Sequence, residues 1–167
     1  LKLMHRRYDT ATFAEKIRKV RQAMPDAFIG VDVIVGTRGE TEECFAEAYD
    51  FIAGLDISQL HVFSYSERPG TKALEIPHCV SPQEKSERSR RLIELSEQKR
   101  KAFYARFIGQ QRTVLWEHAK PGHPLHGFTD NYIRVELPST LSAADNTLTQ
   151  VLLGDFSENA EALMASL

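Results

Sequence analysis

Cysteine is nearly absent from this chain of 167 residues, which holds only Cys44 and Cys79. Two thiols exclude a disulfide framework, and they exclude a cysteine-built metal cluster drawn from this chain alone. Free thiols fit a reducing compartment, so a cytoplasmic protein is expected. Long apolar runs are lacking too. None approaches the roughly 20 residues that span a bilayer, and no membrane is expected as a partner. Neither sign of charge is in excess: 21 Lys and Arg stand against 23 Asp and Glu, a net of −2. That balance argues against a uniformly basic nucleic-acid coat and against a polybasic membrane tail. The remainder, 42% hydrophobic and 26% charged, is ordinary globular composition, enough for one sizeable core or two small ones.

The balanced total hides a division along the chain. Residues 1–80 carry 10 bases and 12 acids, residues 81–106 carry 8 and 4, and residues 107–167 carry 3 and 7. A basic strip therefore lies between two mildly acidic bodies. It marks a domain boundary and has two readings: a solvated helix joining the bodies, or an anion-binding surface.

Apolar Phe13, Ile17, Val20 and Met24 recur at helical spacing, with Thr12 and Glu15 placed as a capping box and Pro25 as a stop. Residues 28–35 form an apolar, β-branched run expected to be a strand buried on both faces. Gly36 and Gly39 follow, then Thr41, Glu42 and Glu43 open a second helix with Phe45, Ala48 and Ile52 on its apolar face and Gly54 at its end. Residues 60–65 are a second buried strand. Helix, strand, helix, strand with short links means parallel βα units. Two units do not close a sheet, so partner strands are expected before residue 1, and the chain reads as a piece of something longer. Its open strand edges invite pairing with a second copy, which leaves dimerisation of the piece open.

Ser81, Pro82 and Glu84 start a helix running to about Arg106, with Leu92, Leu95 and Phe103 on its buried side. Beyond Gly109 the period changes to two. Val114 and Trp116 alternate with Thr113 and Leu115, and Ile133, Val135 and Leu137 with Tyr132, Arg134 and Glu136. With a strand at 151–156, these suggest a small antiparallel barrel. The last ten residues are compatible with a frayed helix, but their pattern decides no element. The domains are therefore 1–106 and 107–167, with the connecting helix at about 81–106.

Ligands of parallel βα units gather at the carboxyl ends of strands. There the run Asp32-Val33-Ile34-Val35-Gly36-Thr37-Arg38-Gly39-Glu40-Thr41 puts a carboxylate inside an apolar strand and glycines before a helix start. Taken alone, it is either a ligand cradle or a tight turn with Asp32 bonded to a neighbour. The second strand ends in Tyr65-Ser66-Glu67-Arg68-Pro69-Gly70-Thr71, where Arg68 is either a phosphate fork or a surface residue beside an ordinary turn.

Together, Asp-x-Ile-Val-Gly-x-x-Gly-Glu-Thr-Glu-Glu from Asp32 and Tyr-Ser-x-Arg-Pro-Gly-Thr-x-Ala from Tyr65 resemble the radical S-adenosylmethionine methylthiotransferases. Leu1, Lys2, Met4, Arg6 and Tyr8 match the segment after the fourth barrel strand of that family, and the period change near Gly109 fits its terminal RNA-binding TRAM module. The fold class implied is α/β plus all-β: the second half of a radical (β/α) barrel, then a small antiparallel barrel. His61-Val62-Phe63 and residues 127–135 most resemble the branch that methylthiolates threonylcarbamoyl-adenosine beside the tRNA anticodon. Relatives acting on isopentenyl-adenosine or on a ribosomal-protein aspartate share the barrel motifs. A non-catalytic RNA-binding or scaffold protein is the alternative from another class.

The resemblance implies S-adenosylmethionine and two 4Fe-4S clusters in the whole enzyme. Asp32, Ile34, Val35 and Gly36 would cradle the adenine, with Val62 and Phe63 completing the pocket. Arg6 and Arg68 would meet tRNA at the barrel mouth, and Asn131, Tyr132 and Arg134 on the small barrel, with Tyr132 offering a stacking face. The −4 of residues 107–167 opposes phosphate binding, so Lys85, Arg88, Arg90 and Arg91, or a patch with Lys120 and Arg134, would carry that load. No Cys-x-x-x-Cys-x-x-Cys is present, so this piece alone is expected to be inactive. Two departures stand out. Thr37-Arg38 replaces the usual Phe-Pro and should loosen the loop, and Cys44 stands where an acid is common. His118, His123 and His126 match no zinc spacing and are expected in turns.

Overall fold

The computed structural model describes residues 6–118, 123–138 and 145–167. It forms two compact units, Leu1–Lys99 and Arg100–Leu167. Lys120 and the residues before Arg6 lie outside the described set.

In the first unit, helix α1 (Thr10–Ala23) leads to strand β1 (Gly30–Val35), then α2 (Glu42–Ala53), β2 (Gln59–Ser64) and a 3₁₀ turn at Lys72–Glu75. α1 starts earlier than its Thr12 signal suggests. The Asp9 carboxylate accepts the Thr12 N–H at 2.7 Å and takes the capping role, while Glu15 pairs instead with Arg18 and Lys19. α1 buries no residue, and Val20 and Met24 are exposed. α2 opens as expected, with Thr41 Oγ1 accepting the Cys44 N–H at 3.3 Å. Its inner side is Phe45 and Ile52; Ala48 is exposed.

β1 and β2 pair in parallel, Gly30 opposite Gln59 through Val35 opposite Ser64. Neither is buried on both faces, contrary to their apolar sequences. With two described strands, one face packs and the other stays open. Val31, Val33, Val35, Leu60 and Val62 face a core built with Phe45, Ile52, Ile57, Leu92 and Leu95. Each fully buried Leu or Phe there contributes about 1.5–3 kcal/mol.

Helix α3 (Pro82–Ala105) runs through both units. Its capping box forms: Ser81 N–H donates to Glu84 Oε2 at 2.9 Å and Glu84 N–H to Ser81 Oγ at 3.2 Å. Those bonds hold the Glu84 carboxyl below the usual glutamate range. Leu92, Leu95 and Phe103 are buried. Buried Ser96 satisfies both backbone groups of Leu60, accepting its N–H at 2.9 Å and donating to its carbonyl at 3.1 Å.

The second unit holds β3 (Gln111–Trp116), β4 (Leu125–Thr129), β5 (Arg134–Leu137), β6 (Leu148–Phe156) and β7 (Leu163–Ser166), closed in the order β3-β4-β5-β7-β6. The barrel is mixed rather than antiparallel, because β7 enters between β6 and β5 and runs parallel to β5. The terminal segment is thus a strand, not a frayed helix. Leu163 and Ala165 point inward at period two, and β7 covers two strand edges that would otherwise be open. Val114, Trp116, Ile133, Val135, Leu137, Val151 and Leu153 fill the interior, as their alternation predicts.

Candidate functional site

The open face of the β1–β2 sheet carries Asp32 opposite His61 and Ile34 opposite Phe63. Ile34 is 47% exposed and Phe63 53%, so an apolar plate with polar neighbours lies open on that face. Val35 and Val62 do not share that plate. Side chains alternate along a strand, and these two belong to the packed face. A groove of about 500 Å³ runs along β1 beside α1 and α2, lined by Tyr8, Phe13, Asp32, Ile34, Cys44 and Phe51 among others.

At the carboxyl end of β1, Gly36 is left-handed at φ 74°. A Cβ there would lie 2.4 Å from Lys85 Cγ, so the close approach that Gly36 permits is to the Lys85 stem. Lys85 Nζ donates to the Tyr65 carbonyl at 3.1 Å, and Tyr65 N–H donates to the Val35 carbonyl at 2.8 Å. Gly36 N–H donates to Glu40 Oε1 at 2.9 Å, and Arg88 donates to that same oxygen at 2.7 Å. Arg38 does not loosen this loop. It donates to Glu67 at 2.6 Å and to the carbonyls of Leu74 and Ile76 at 3.0 and 3.4 Å, bracing it across the turn. The pairing pulls the Glu67 carboxyl below the usual range and raises Arg38.

Of the cations expected to meet RNA, Arg6 and Arg68 are exposed, with no partner to either guanidinium among the described residues. Arg91 reaches Glu42 at 2.9 Å and stacks 4.6 Å from the Phe45 ring centroid. Arg90 is exposed and paired with Glu87 and Glu94. Arg88 is only 2% exposed and cannot reach phosphate, because its charge is committed to Glu40 and Glu42. The basic strip is therefore neither wholly solvated nor wholly an anion surface.

On the barrel, Asn131 is buried in the β4–β5 turn, where its Oδ1 accepts from Thr129 Oγ1 at 2.7 Å. Tyr132 stands out of that turn, 63% exposed at φ 67°, with its ring 5.0 Å from Phe128. A bulky residue held left-handed costs about 1 kcal/mol or more. Phe128 continues an outward row across four strands: Leu148 opposite Leu115, Leu115 opposite Phe128, and Phe128 opposite Arg134. Leu115 and Leu148 are 48% and 70% exposed. Sequence reasoning missed Phe128, Leu115 and Leu148, although apolar residues at outward positions of an alternating strand were the available signal. Arg134 lies 3.5 Å from Glu161. His126 is in β4 rather than a turn, 3.2 Å from Glu136, and His118 pairs with Asp145. Among the described residues no three His, Cys, Asp or Glu side chains converge as metal ligands. Cys44 and Cys79 are both exposed.

A parallel βα pair with an apolar open face, followed by a closed five-stranded barrel, defines a two-unit chain of the α/β plus β class. No family model matches it. It is 39% identical over 144 residues to the threonylcarbamoyladenosine tRNA methylthiotransferase of Bacillus subtilis, covering 84% of this chain and 32% of that protein. To the tRNA-2-methylthio-N(6)-dimethylallyladenosine synthase of Chloroflexus aurantiacus it is 38% identical over 141 residues, 77% of this chain and 30% of the relative. To the threonylcarbamoyladenosine tRNA methylthiotransferase of Aquifex aeolicus it is 36% identical over 137 residues, 81% and 32%. The chain spans about a third of the length of the curated relatives it matches. It belongs to the radical S-adenosylmethionine methylthiotransferase family.

Proposed function

We propose that this chain is part of a cytoplasmic tRNA methylthiotransferase acting on threonylcarbamoyl-adenosine beside the anticodon. The observation that carries this reading is its 36–39% identity, over about 80% of its length, to relatives bearing that name. β1 and β2 are then neighbouring strands of the radical barrel, with Asp32, Ile34, His61 and Phe63 facing the lumen. The Ile34–Phe63 plate suits the adenine of S-adenosylmethionine, being apolar, flat and next to polar groups. When bound with its cluster, that cofactor supplies the radical chemistry needed at an unactivated adenine carbon. This chain's own residues bind and orient: Ile34 and Phe63 exclude water from one ring face, and Gly36 ends the strand. Two cysteines are too few for the radical cluster, so its ligands belong to other parts of the enzyme. Arg6 and Arg68 meet the tRNA.

The 38% match to a dimethylallyladenosine-type synthase favours a second reading, the isopentenyl-adenosine branch. Mass analysis of tRNA nucleosides from a strain lacking the gene separates the two. Loss of methylthio-threonylcarbamoyl-adenosine alone is expected; loss of the isopentenyl product alone favours the second, and no change in either refutes both.

The small barrel is the RNA-binding module, with Tyr132 and Arg134 as contacts and Phe128 beneath the Tyr132 ring. Tyr132→Gly should separate strain from binding. The barrel should melt no lower than the parent, since glycine accepts positive φ freely. Affinity for tRNA should fall about tenfold through the lost stacking face. Unchanged affinity in a gel-shift titration would remove Tyr132 from the RNA face.

A further inference from the structure

The guanidinium of Arg88 lies under the β1 loop, 2% exposed, on a helix whose other arginines in that stretch reach solvent. Stability alone is a weak reason to bury such a charge, because replacing a buried ion pair by neutral residues is often harmless. Its Nε has no hydrogen-bond partner, so the surroundings are not arranged to satisfy the guanidinium for its own sake. They are arranged around Glu40. Arg88 donates through one nitrogen to Glu40 Oε1 at 2.7 Å and to the Glu40 carbonyl at 3.1 Å, while the other stands 3.4 Å from Glu42. Glu40 Oε1 also accepts the Gly36 N–H at 2.9 Å. One carboxylate oxygen thus ties helix α3 to the last peptide of β1. One turn earlier on α3, Lys85 packs its stem against Gly36 and donates to Tyr65, which follows β2.

We infer that Arg88 is a positioning residue for the cofactor end of β1, acting through Glu40 to fix the Gly36 peptide. The inference rests on the proposed place of S-adenosylmethionine at that strand end. Lysine could not replace it, since a single ammonium lacks the planar fork that serves two glutamates at once.

The test uses the intact, anaerobically reconstituted enzyme with Arg88→Met and with Arg88→Met/Glu40→Gln. The double variant removes both buried charges and keeps an acceptor for Gly36. It is expected to melt like the parent and to bind S-adenosylmethionine about tenfold more weakly, since the acceptor is no longer held in place. Parental melting together with parental affinity would overturn the inference and leave the pair purely structural. Should both variants fail to fold, hydrogen exchange on the parent decides. A Gly36 amide protected like those of Val33 and Leu60 supports the tie, and exchange at an open-loop rate overturns it. A parent enzyme that binds no S-adenosylmethionine refutes the proposed cofactor site itself, an outcome visible before any variant is made.

Discussion

Gly127→Ala should lower the melting temperature of the barrel by about 12 °C or more. Gly127 lies in β4 between β3 and β5, opposite Trp116 and Val135. A Cβ placed on it would stand 2.4 Å from the Leu115 carbonyl oxygen, 2.6 Å from Val114 Cγ1 and 2.9 Å from Trp116 Cε3. The nearest atom is backbone of a paired strand, so it cannot rotate away, and the methyl can be housed only by spreading the β3–β4 ladder. Overpacking of this kind costs about 3 kcal/mol, and for a unit of this size each kcal/mol moves the melting point by about 4–8 °C. Trp116 is the only tryptophan and is 1% exposed, so its fluorescence reports this unit alone. Gly30→Ala, followed by far-ultraviolet circular dichroism because Trp116 does not report the first unit, is the matching control. Its Cβ would meet only the His61 ring, at 3.3 Å, and β1 should tolerate it. A shift under about 4 °C for Gly127→Ala would mean that the ladder yields more easily than packed interiors do.

Gly127 also shows where sequence reasoning stops. The strands around it were legible, because Val114, Trp116, Ile133, Val135 and Leu137 alternate cleanly and burial follows alternation. The caps at Thr41 and Ser81 were legible for a similar reason: a side chain three residues from a backbone N–H is a local fact. The barrel was legible, but the strand that closes it was not. β7 lies between β5 and β6, and nothing in Leu163-Met164-Ala165-Ser166 distinguishes a four-residue strand from a helix until the two open edges are known. The candidate site divides the same way. Ile34 and Phe63 follow from period two, whereas assigning Val35 and Val62 to the same ligand overlooked that period. Arg88 looked like one more cation of a basic strip. Its pairing with Glu40, 48 residues away, is tertiary, and the available hint was its helical spacing from Lys85, Leu92 and Leu95.

Arg88→Met should therefore destabilise the first unit by about 4 kcal/mol, the usual cost of stranding one partner of a buried pair. The Glu40 side chain is 16% exposed and the Arg88 side chain 3%, so water cannot take over the lost contact. Adding Glu40→Gln should recover most of the loss, because the penalty lies in the unpaired charge rather than in the absent bond. Arg90 provides the contrast on the same helix. It pairs with Glu87 at 2.7 Å and also with Glu94, and those carboxylates raise its pKa. Yet its side chain is 57% exposed, and solvent and salt screen both pairs. Exposure outranks the pKa shift in deciding which arginine matters. Urea unfolding followed by far-ultraviolet circular dichroism should show Arg90→Met close to the parent and Arg88→Met far below it. The Arg88 deficit should persist in 0.5 M salt, roughly a condition that screens surface pairs within a few ångströms. If the two variants unfold at the same urea concentration, burial of the Arg88–Glu40 pair is not what holds the β1 loop.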